Sequence, residues 1–517
     1  MHAVIVALFI VPLVAVVLSY LVPMKAAPPV SAVAGIASFG LCIALVSTAS
    51  AGTEHALGSF LRLDALSEVF LLATTFLYAA TAVFASGYLH LPKGAVGERY
   101  SRRFWAGFNL FCAAMVAAPL MNGLASLWVA VEVTTVVSAL LVAIDGTDEA
   151  TEASWKYVLI ASLGLSLALL ATIVMYYAGS SFFTGSYNLS YTNLLSGARH
   201  FSPGAVRLAF VLAVLGFGTK MGLVPVHTWL PDAHSEAPSP VSALLSGALL
   251  AICFYAILRY FQVTLKAVGP GFPRDVMAGF GVASLLLAAL YLLSQRDMKR
   301  LFAYSSVEHM GIIAIGTSFG APIALFGVLL HVLAHGAAKG TAFFGAGSVV
   351  RKFGTKDMEE VRGGASVLPW SGTMLVAAVL ALSALPPFGI FRSEFLVVEG
   401  GLSSGGDALS AVLVVLVTVA FFGLSWFTTK TMLSGVPASE AALGEAAAAG
   451  AAAGGAAAGK HGNLFRGEVS PWIVVAMVAG LAALVLLGVH LPGDLTALLR
   501  HAAGQLLPGG TSTRGVQ

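Results

Sequence analysis

Apolar runs of about twenty residues recur along the chain and are separated by short polar segments. Each run can cross a bilayer as an α-helix, because a rise of ~1.5 Å per residue covers the ~30 Å hydrocarbon layer in about 20 residues. Of the 517 residues, 58% are hydrophobic and only 10% are charged, whereas a soluble domain carries about 25% charged residues. The sequence therefore predicts an all-α polytopic membrane protein with about fourteen transmembrane helices.

The loops after odd-numbered runs are the richest in lysine and arginine, for example at Arg102, Arg103, Arg296 and Arg351. Because cytoplasmic loops carry an excess of these residues, we expect a multi-pass protein of the cytoplasmic (inner) membrane with both termini on the non-cytoplasmic side. The first apolar run lacks a basic leader and an A-x-A cleavage site. We therefore expect it to be a retained helix and not a signal peptide.

Several kinds of site are not indicated by the sequence. The net charge of +3 and the scattered basic residues do not suggest nucleic acid as a partner. Cys42, Cys112 and Cys253 lie in apolar runs without CxxC or Cys/His spacing, so no disulfide framework, iron–sulfur site or zinc site is predicted. No nucleotide loop, dinucleotide fingerprint, serine-nucleophile elbow or haem-ligand pair stands out, and no cofactor is expected.

One apolar run is interrupted at Gly216–Pro240 by a lysine, four prolines and a polar cluster. A lysine at the bilayer centre costs about 2.5–3.5 kcal/mol and usually has a partner and a function. Pro225, five residues after Lys220, removes a backbone donor and breaks the helix. Many ion-coupled transport proteins place a charge beside a helix break, so the run with its core at 206–227 is predicted to be broken and functional.

A second run, with its core at 367–400, is interrupted by Pro386, Pro387 and Gly389, and Glu394 follows. The two broken runs are five apart in order, which favours two inverted five-helix repeats. The expected organisation is three N-terminal helices (1–103), a first repeat (104–261), a second repeat (272–433), an Ala/Gly-rich linker (434–469), and a C-terminal helix with its tail (470–517).

Glu132 lies near the middle of the fifth apolar run. Lys220 is available as its partner, and moving or protonating one member of such a pair would release the proton of the other. This would be a workable proton switch. The alternatives are a carboxylate that caps a neighbouring backbone break and a carboxyl group that is simply protonated.

His331, His335 and Lys339 are spaced at i, i+4 and i+8, so all three lie on one face of a helix. Histidine suits a hydrated proton relay, because its charge changes near neutral pH. The HxxxH pair could instead bind a metal, but no HExxH motif or further ligand cluster supports it, and a cationic lysine on the same face opposes it. Histidines that only bond neighbouring helices are the third possibility.

Four further charged or polar residues lie at the margins of apolar runs. Glu308 and His309 are adjacent, so we expect them to point to different faces and at most one to face the bundle interior. Lys299 is expected to be an interfacial anchor, and Arg259 to extend toward the membrane surface. The polar residues within the first break are expected to be mainly structural; they are His227, Asp232, His234 and Glu236.

Four motifs carry a resemblance to a known family: GTKMGLVPVHTWLPDAHSEAPSPVSALLSG (218–247), RDMKRLFAYSSVEHMG (296–311), HVLAHGAAKGTAFFGAGSV (331–349) and LPPFGIFRSEF (385–395). They resemble the antiporter-like proton-translocating subunits shared by respiratory complex I, multi-subunit sodium/proton antiporters and membrane-bound hydrogenases. The form DAHSEAPSPVSALLSG and the chain length are most similar to the F subunit of hydrogenase-4 and formate hydrogenlyase-type complexes.

The resemblance implies fourteen helices with two inverted repeats. It also implies a glutamate–lysine pair in the first half, here Glu132 and Lys220, and a terminal charged residue on the second broken helix, here Glu394. The central lysine of the M-type subunit of complex I has Ala251 at the corresponding place in this chain.

The eleventh run is instead similar to the L-type subunit, so this chain mixes the two patterns. The mixed pattern leaves His331, His335 and Lys339 as candidates for the central carrier. We expect Lys339 to be the carrier, with His331 and His335 as hydrated bridges.

We therefore expect a proton-translocating membrane subunit that works with other membrane and peripheral subunits of a hydrogenase-type or complex I-like oxidoreductase. Protons and the lipid bilayer are its other expected partners, and redox chemistry would lie in the partner subunits. A subunit of a multi-subunit cation/proton antiporter is the main alternative. A non-pumping scaffold or quinone-site subunit is disfavoured by the number of intramembrane charges.

Overall fold

The computed structural model describes residues 2–49, 52–89, 94–183, 188–435 and 466–508. This part of the chain consists almost entirely of helices. In chain order they are α1 (His2–Leu21), α2 (Ala27–Ala49), α3 (Ala65–Tyr88), α4 (Ala95–Leu120), α5 (Leu124–Val142), α6 (Asp148–Ser180), α7 (Tyr191–Gly197), α8 (Pro203–Met221), α9 (Trp229–Glu236), α10 (Ser239–Leu244), α11 (Leu250–Val268), α12 (Gly271–Leu292), α13 (Met298–Phe319), α14 (Pro322–Phe353), α15 (Gly364–Val367), α16 (Ser371–Leu382), α17 (Gly389–Ser403), α18 (Asp407–Met432), α19 (Pro471–Val489) and α20 (Gly493–Gly504).

Two shorter features interrupt this pattern. Strands β1 (Glu54–Ala56) and β2 (Leu61–Leu63) form an antiparallel hairpin between α2 and α3, which the all-α prediction did not include. A π-helical turn at Leu245–Leu249 joins α10 to α11, so that Ser239–Val268 forms one continuous span.

Twelve helices in the described part are long and apolar enough to cross a membrane, which confirms the predicted polytopic helical fold. Helix α13 is not among them because its polar residues lower its mean hydropathy, and α16 and α17 are each too short. The count of fourteen and the inverted repeats therefore stay predictions. Most of the predicted linker 434–469, at 436–465, lies outside the described residues.

The interior of the bundle is built by two long spans. The most apolar stretch of Ser239–Val268 is completely buried. In α14, 94% of the residues of the corresponding stretch are buried, whereas in α1 and α18 only 28% are. With 32 residues, α14 is about 48 Å long and exceeds the ~30 Å hydrocarbon layer. Its middle therefore lies deep in the bundle, where only protein groups can satisfy a polar side chain.

The first predicted break is present, and its free backbone groups find partners. Helix α8 ends at Met221, and Gly222 adopts φ 86°, a left-handed conformation that suits glycine. The indole Nε1 of Trp229 donates to the Thr219 carbonyl at 2.7 Å, and the Val224 amide donates to the Ser284 hydroxyl at 3.0 Å. Two of the polar backbone groups at the break are thus satisfied within the protein.

The second predicted break separates α16 from α17. The Leu385 amide donates to the Leu380 carbonyl at 3.1 Å, and the Ser383 amide donates to the Val379 carbonyl at 2.8 Å. Helix α17 then begins at Gly389 and carries Glu394 back into the bundle, where only 7% of its surface is exposed.

Arg259 does not extend toward the membrane surface as expected; it is 1% exposed and paired. Its Nη2 donates to Asp64 Oδ1 at 2.7 Å and to Ser67 Oγ at 3.0 Å. The guanidinium also lies 4.7 Å from the ring centre of Tyr191 and 4.8 Å from that of Tyr255. The prediction was wrong because Asp64, at the start of α3, supplies a buried counter-charge from a distant part of the sequence.

Replacing Arg259 by leucine is expected to lower the free energy of unfolding by about 3–5 kcal/mol, because removing one partner of a buried ion pair leaves the other uncompensated. Thermal unfolding of the purified protein measures the loss. Arg199→Leu, at an exposed arginine, is the control and should leave the unfolding temperature unchanged. Equal unfolding temperatures of the two variants would contradict the structural role of the ion pair between Arg259 and Asp64.

Candidate functional site

The predicted site residues lie along the bundle interior, with one exception. Lys220, His331, His335 and Lys339 are each 0% exposed, and Glu394 is 7% exposed. The exception is Glu132, which is half-buried; the other predicted positions combine charge or polarity with nearly complete burial.

Lys220 lies in the last turn of α8 and is held by hydroxyl groups of α5. Its Nζ donates to Thr134 Oγ1 at 2.7 Å, to Thr135 Oγ1 at 2.8 Å and to the Val131 carbonyl at 3.3 Å. These bonds offer the ammonium three acceptors, as many as it has donors. The cation is therefore satisfied without a carboxylate in direct contact.

Glu132 interacts electrostatically with Lys220, but no ion pair within 4.0 Å joins them among the described residues. Its Oε2 has no hydrogen-bond partner in the described part of the chain. The neighbouring side chains Val129, Val133 and Val136 are 53%, 37% and 58% exposed. Glu132 thus lies beside Lys220 and toward the outer face of α5.

In the second half, three helices bring their polar side chains together. His309 of α13 and His331 of α14 meet at 3.1 Å between Nδ1 and Nε2. The other ring nitrogen of His331 lies 2.9 Å from Ser393 Oγ of α17. Glu394 Oε1 is 3.9 Å from His309 Nδ1, which is beyond a direct hydrogen bond.

The hydrogen bonds favour one protonation pattern of this cluster. Ser393 donates its hydroxyl proton to the Ile390 carbonyl at 2.7 Å, so its oxygen accepts from His331 Nδ1–H. His331 Nε2 is then unprotonated in the neutral ring and accepts from His309 Nδ1–H. The result is a directed chain from His309 through His331 to Ser393.

Glu308 and His309 are both buried, at 2% and 0% exposure, so the expectation that at most one faces the interior was wrong. Helix α13 is surrounded by other helices, and adjacent residues therefore both point into protein. Glu308 interacts electrostatically with Lys339 and Glu394, and its Oε2 has no hydrogen-bond partner among the described residues.

Lys339 is connected to the first half by serine hydroxyl groups that the sequence analysis did not single out. Its Nζ donates to the Phe302 carbonyl at 3.0 Å, and Ser306 Oγ donates to the same carbonyl at 2.9 Å. Ser246, in the π turn, lies 2.7 Å from Ser306 Oγ. The serine pair in the motif RDMKRLFAYSSVEHMG was the available signal.

A close approach of two backbones makes this connection possible. A side chain added at Gly247 would lie 3.1 Å from the Gly336 carbonyl of α14 and 2.6 Å from Leu77 Cδ1. Glycine therefore allows the π turn to contact the segment of α14 between His335 and Lys339.

The two carboxylates of α9 form ion pairs, as the structural interpretation of the break predicts. Asp232 binds Arg300 at 2.5 Å and Lys156 at 3.3 Å, and Glu236 binds Lys356 at 2.6 Å. These pairs join α9 to α6, to α13 and to the segment after α14.

Lys299 is not the interfacial anchor that was expected, since it is only 5% exposed. Its Nζ donates to the carbonyls of Ser235 and Ala237, at 2.9 and 2.5 Å. It thereby satisfies carbonyl groups at the end of α9, a position that favours a cation.

Comparison with known proteins reveals related chains. A family model described as NADH:quinone oxidoreductase/Mrp antiporter, transmembrane, matches residues 121–422. A hydrogenase-4 component F homologue from Methylacidiphilum infernorum is 38% identical over 383 residues, covering 70% of this chain and 79% of the relative. NADH-quinone oxidoreductase subunit N from Desulforudis audaxviator is 33% identical over 368 residues, covering 71% of each chain.

The same architecture occurs among solved structures. A chain in the Mrp complex from a Dietzia species superposes with a TM-score of 0.80 at 20% identity, covering 99% of this chain and 98% of that one. This likeness concerns the fold over nearly the whole length.

Replacing Ser393 by alanine is expected to release the proton of His331 from Nδ1, because its acceptor is lost. Nitrogen-15 NMR of histidine-labelled protein should show Nδ1 protonated in the wild type and a mixture of the two tautomers in the variant. Ser403→Ala, at the far end of α17, is the control. A wild-type His331 with an unprotonated Nδ1 in its neutral form would contradict the assigned chain.

Proposed function

Because the chain belongs to the NADH:quinone oxidoreductase/Mrp antiporter family of transmembrane subunits, as its motifs predicted, we propose that it moves protons as one subunit of a hydrogenase-4-type oxidoreductase complex. Its likeness to a hydrogenase-4 component F homologue favours this type of complex. Electron transfer would occur in partner subunits, and this chain would supply the membrane path.

One observation carries the proposal: Lys220, Lys339 and Glu394 are charged residues buried in an otherwise apolar bundle. Ionisable residues at membrane depth are costly and mark ion pathways and proton relays. Lys220 and Glu394 lie on the two broken helices and Lys339 lies on α14. The three histidines interact electrostatically with Lys339. A scaffold would gain nothing from burying these groups.

The path begins at Lys220, on the cytoplasmic side of the proposed orientation, where Glu132 modulates the lysine charge. It continues past the hydroxyl pair of Ser246 and Ser306 to Lys339, with water bridging the steps on either side, since Ser306 and Lys339 share only the Phe302 carbonyl as an acceptor. The proton then moves to the histidine cluster and to Glu394, from which it leaves on the other side of the membrane.

The hydrogen-bonded histidines suit transfer of a proton in the second half. A proton accepted at the free Nε2 of His309 allows the Nδ1 proton of that ring to pass to His331 Nε2. Ser393 donates its own proton to the Ile390 carbonyl and passes none on, so the acceptor beyond the histidines is Glu394, whose Oε1 lies 3.9 Å from His309 Nδ1. Each neutral imidazole has one donor and one acceptor nitrogen, so the charge moves while each ring stays in place.

A neighbouring membrane subunit is proposed to cover the outer face of α5. Glu132 is half-buried there among exposed valines, and a carboxylate facing lipid is unfavourable. A partner helix on this face would shield Glu132 and could move its charge relative to Lys220, which would couple events in the partner to the lysine.

A cation/proton antiporter subunit is the second candidate, since the matching family model includes Mrp antiporters. The same buried residues would serve it, without electron transfer in the complex. The identity of the partner subunits distinguishes the two functions.

Lys220→Ala is expected to reduce proton translocation to the passive leak, because the first carrier is lost. The measurement is proton uptake by vesicles containing the whole complex, together with its redox turnover. Lys266→Ala, at an exposed lysine of α11, should retain coupled translocation. Full coupled pumping in the Lys220 variant would contradict the proposed path.

Purification of the native complex through a tag on this chain is expected to yield hydrogenase and iron–sulfur subunits. Mass spectrometry of the purified material identifies them. Recovery of only small antiporter subunits, with sodium-dependent proton exchange in vesicles, would contradict the redox function and favour the antiporter function.

A further inference from the structure

We propose that His309, His331 and Glu394 form a binding site for a divalent cation of the zinc type at the centre of the second half. Their three ligand atoms all lie within 4.8 Å of one another, and all three residues are buried. They come from α13, α14 and α17, so the site exists only in the folded bundle. Two imidazoles with one carboxylate are a ligand set that zinc accepts in proteins.

The distances are close to those of a tetrahedral metal site. Zinc–ligand bonds of about 2.0–2.2 Å place neighbouring ligands about 3.3–3.5 Å apart. The His309 and His331 nitrogens are 3.1 Å apart, and Glu394 Oε1 lies 3.9 Å from His309 Nδ1. All three ligand atoms lie within 4.8 Å of one another, so binding a cation between them requires the widest pair to close by up to about 1.5 Å.

Ser393 prepares His331 to bind a metal. By accepting from Nδ1–H, it leaves Nε2 unprotonated and directed at His309. A metal-binding histidine generally donates its other ring N–H in this way, which fixes the tautomer and the ring orientation. The Nδ1 proton of His309 would be displaced by the cation, as is usual when metals bind histidine.

His335 lies beside these ligands. The His335 ring centre lies 5.3 Å from that of His309, and neither of its ring nitrogens has a hydrogen-bond partner in the described part of the chain. A water molecule or His335 can complete the coordination.

The charges around the cluster are mixed. Lys339 interacts electrostatically with all three histidines and opposes a cation. Glu308 interacts electrostatically with Lys339, so one carboxyl group outside the ligand set lies near the ammonium. The sequence analysis counted Lys339 and the lack of further ligands against a metal site. Glu308 reduces the first objection, and His309 of α13 and Glu394 of α17 supply the further ligands.

A cation at this position would replace the hydrogen bond between His309 and His331. It would therefore stop proton transfer along the pair, a consequence that rests on the proposed function. The binding site itself does not depend on that function.

The test adds zinc sulfate to the chelator-treated whole complex, removes unbound zinc by gel filtration and measures the retained metal. We expect one zinc equivalent in the wild type whose affinity falls at least about tenfold in His309→Gln and His331→Gln, since even outer partners of a ligand contribute 10–100-fold. X-ray absorption at the zinc edge should show imidazole nitrogens at about 2.0–2.1 Å.

Two further variants make the result specific. His501→Gln, at an exposed histidine of α20, should bind zinc like the wild type. Ser393→Ala keeps every ligand and is expected to weaken zinc binding about 10–100-fold. Weaker binding in this variant shows that the effect of the ligand variants is not due to misfolding. Magnesium, which prefers oxygen ligands, should not compete.

Equal zinc binding by the wild type and the two ligand variants would overturn the site, and so would the absence of a tightly bound equivalent. Proton translocation is measured in the same samples. Zinc that binds as expected and stops translocation supports both proposals. Zinc that binds as expected and leaves translocation unchanged supports the metal site and contradicts the proposed proton path.

Discussion

A charge enclosed by apolar helices must find its partners within the protein, because no water in the hydrocarbon layer can solvate it. Lys220 and Lys339 meet this constraint in a similar way. The first is held by two threonine hydroxyl groups and a carbonyl, and the second by a carbonyl of α13. Neither is held by a carboxylate in contact among the described residues, so neither proton is confined by a close ion pair. Such a lysine can be stabilised as a cation and still change its charge when a more distant carboxylate moves.

The broken helices follow from the same constraint. A break at membrane depth frees backbone carbonyl and amide groups, and these need partners as much as a charge does. At the first break Trp229 and Ser284 provide them, and Lys220 lies in the helical turn just before it. The ion pairs of α9 then attach the segment after the break to α6 and α13. The break thus combines a rigid framework with a buried cation.

Sequence reasoning located the membrane spans, both breaks, Lys220 and Glu394, because apolar length, proline and intramembrane charge are local signals. It did not locate the contacts between helices. His309 joins His331 and Glu394 through three separate helices, and Arg259 meets Asp64, which is 195 residues away. The expectation that only one of Glu308 and His309 faces the interior was also wrong. The sequence of one helix does not show how many other helices surround it. Tertiary packing decides these features.

The central claim is that protons cross the membrane through the buried charges of this chain. The most direct measurement is the number of protons translocated per electron pair by the whole complex in vesicles, with Glu394→Gln compared with Glu399→Gln. Both variants alter one carboxylate of α17, but Glu399 is exposed whereas Glu394 is buried beside the histidines. We expect a lower ratio for Glu394→Gln alone, because the terminal proton acceptor is lost. A normal ratio for both variants would contradict the claim.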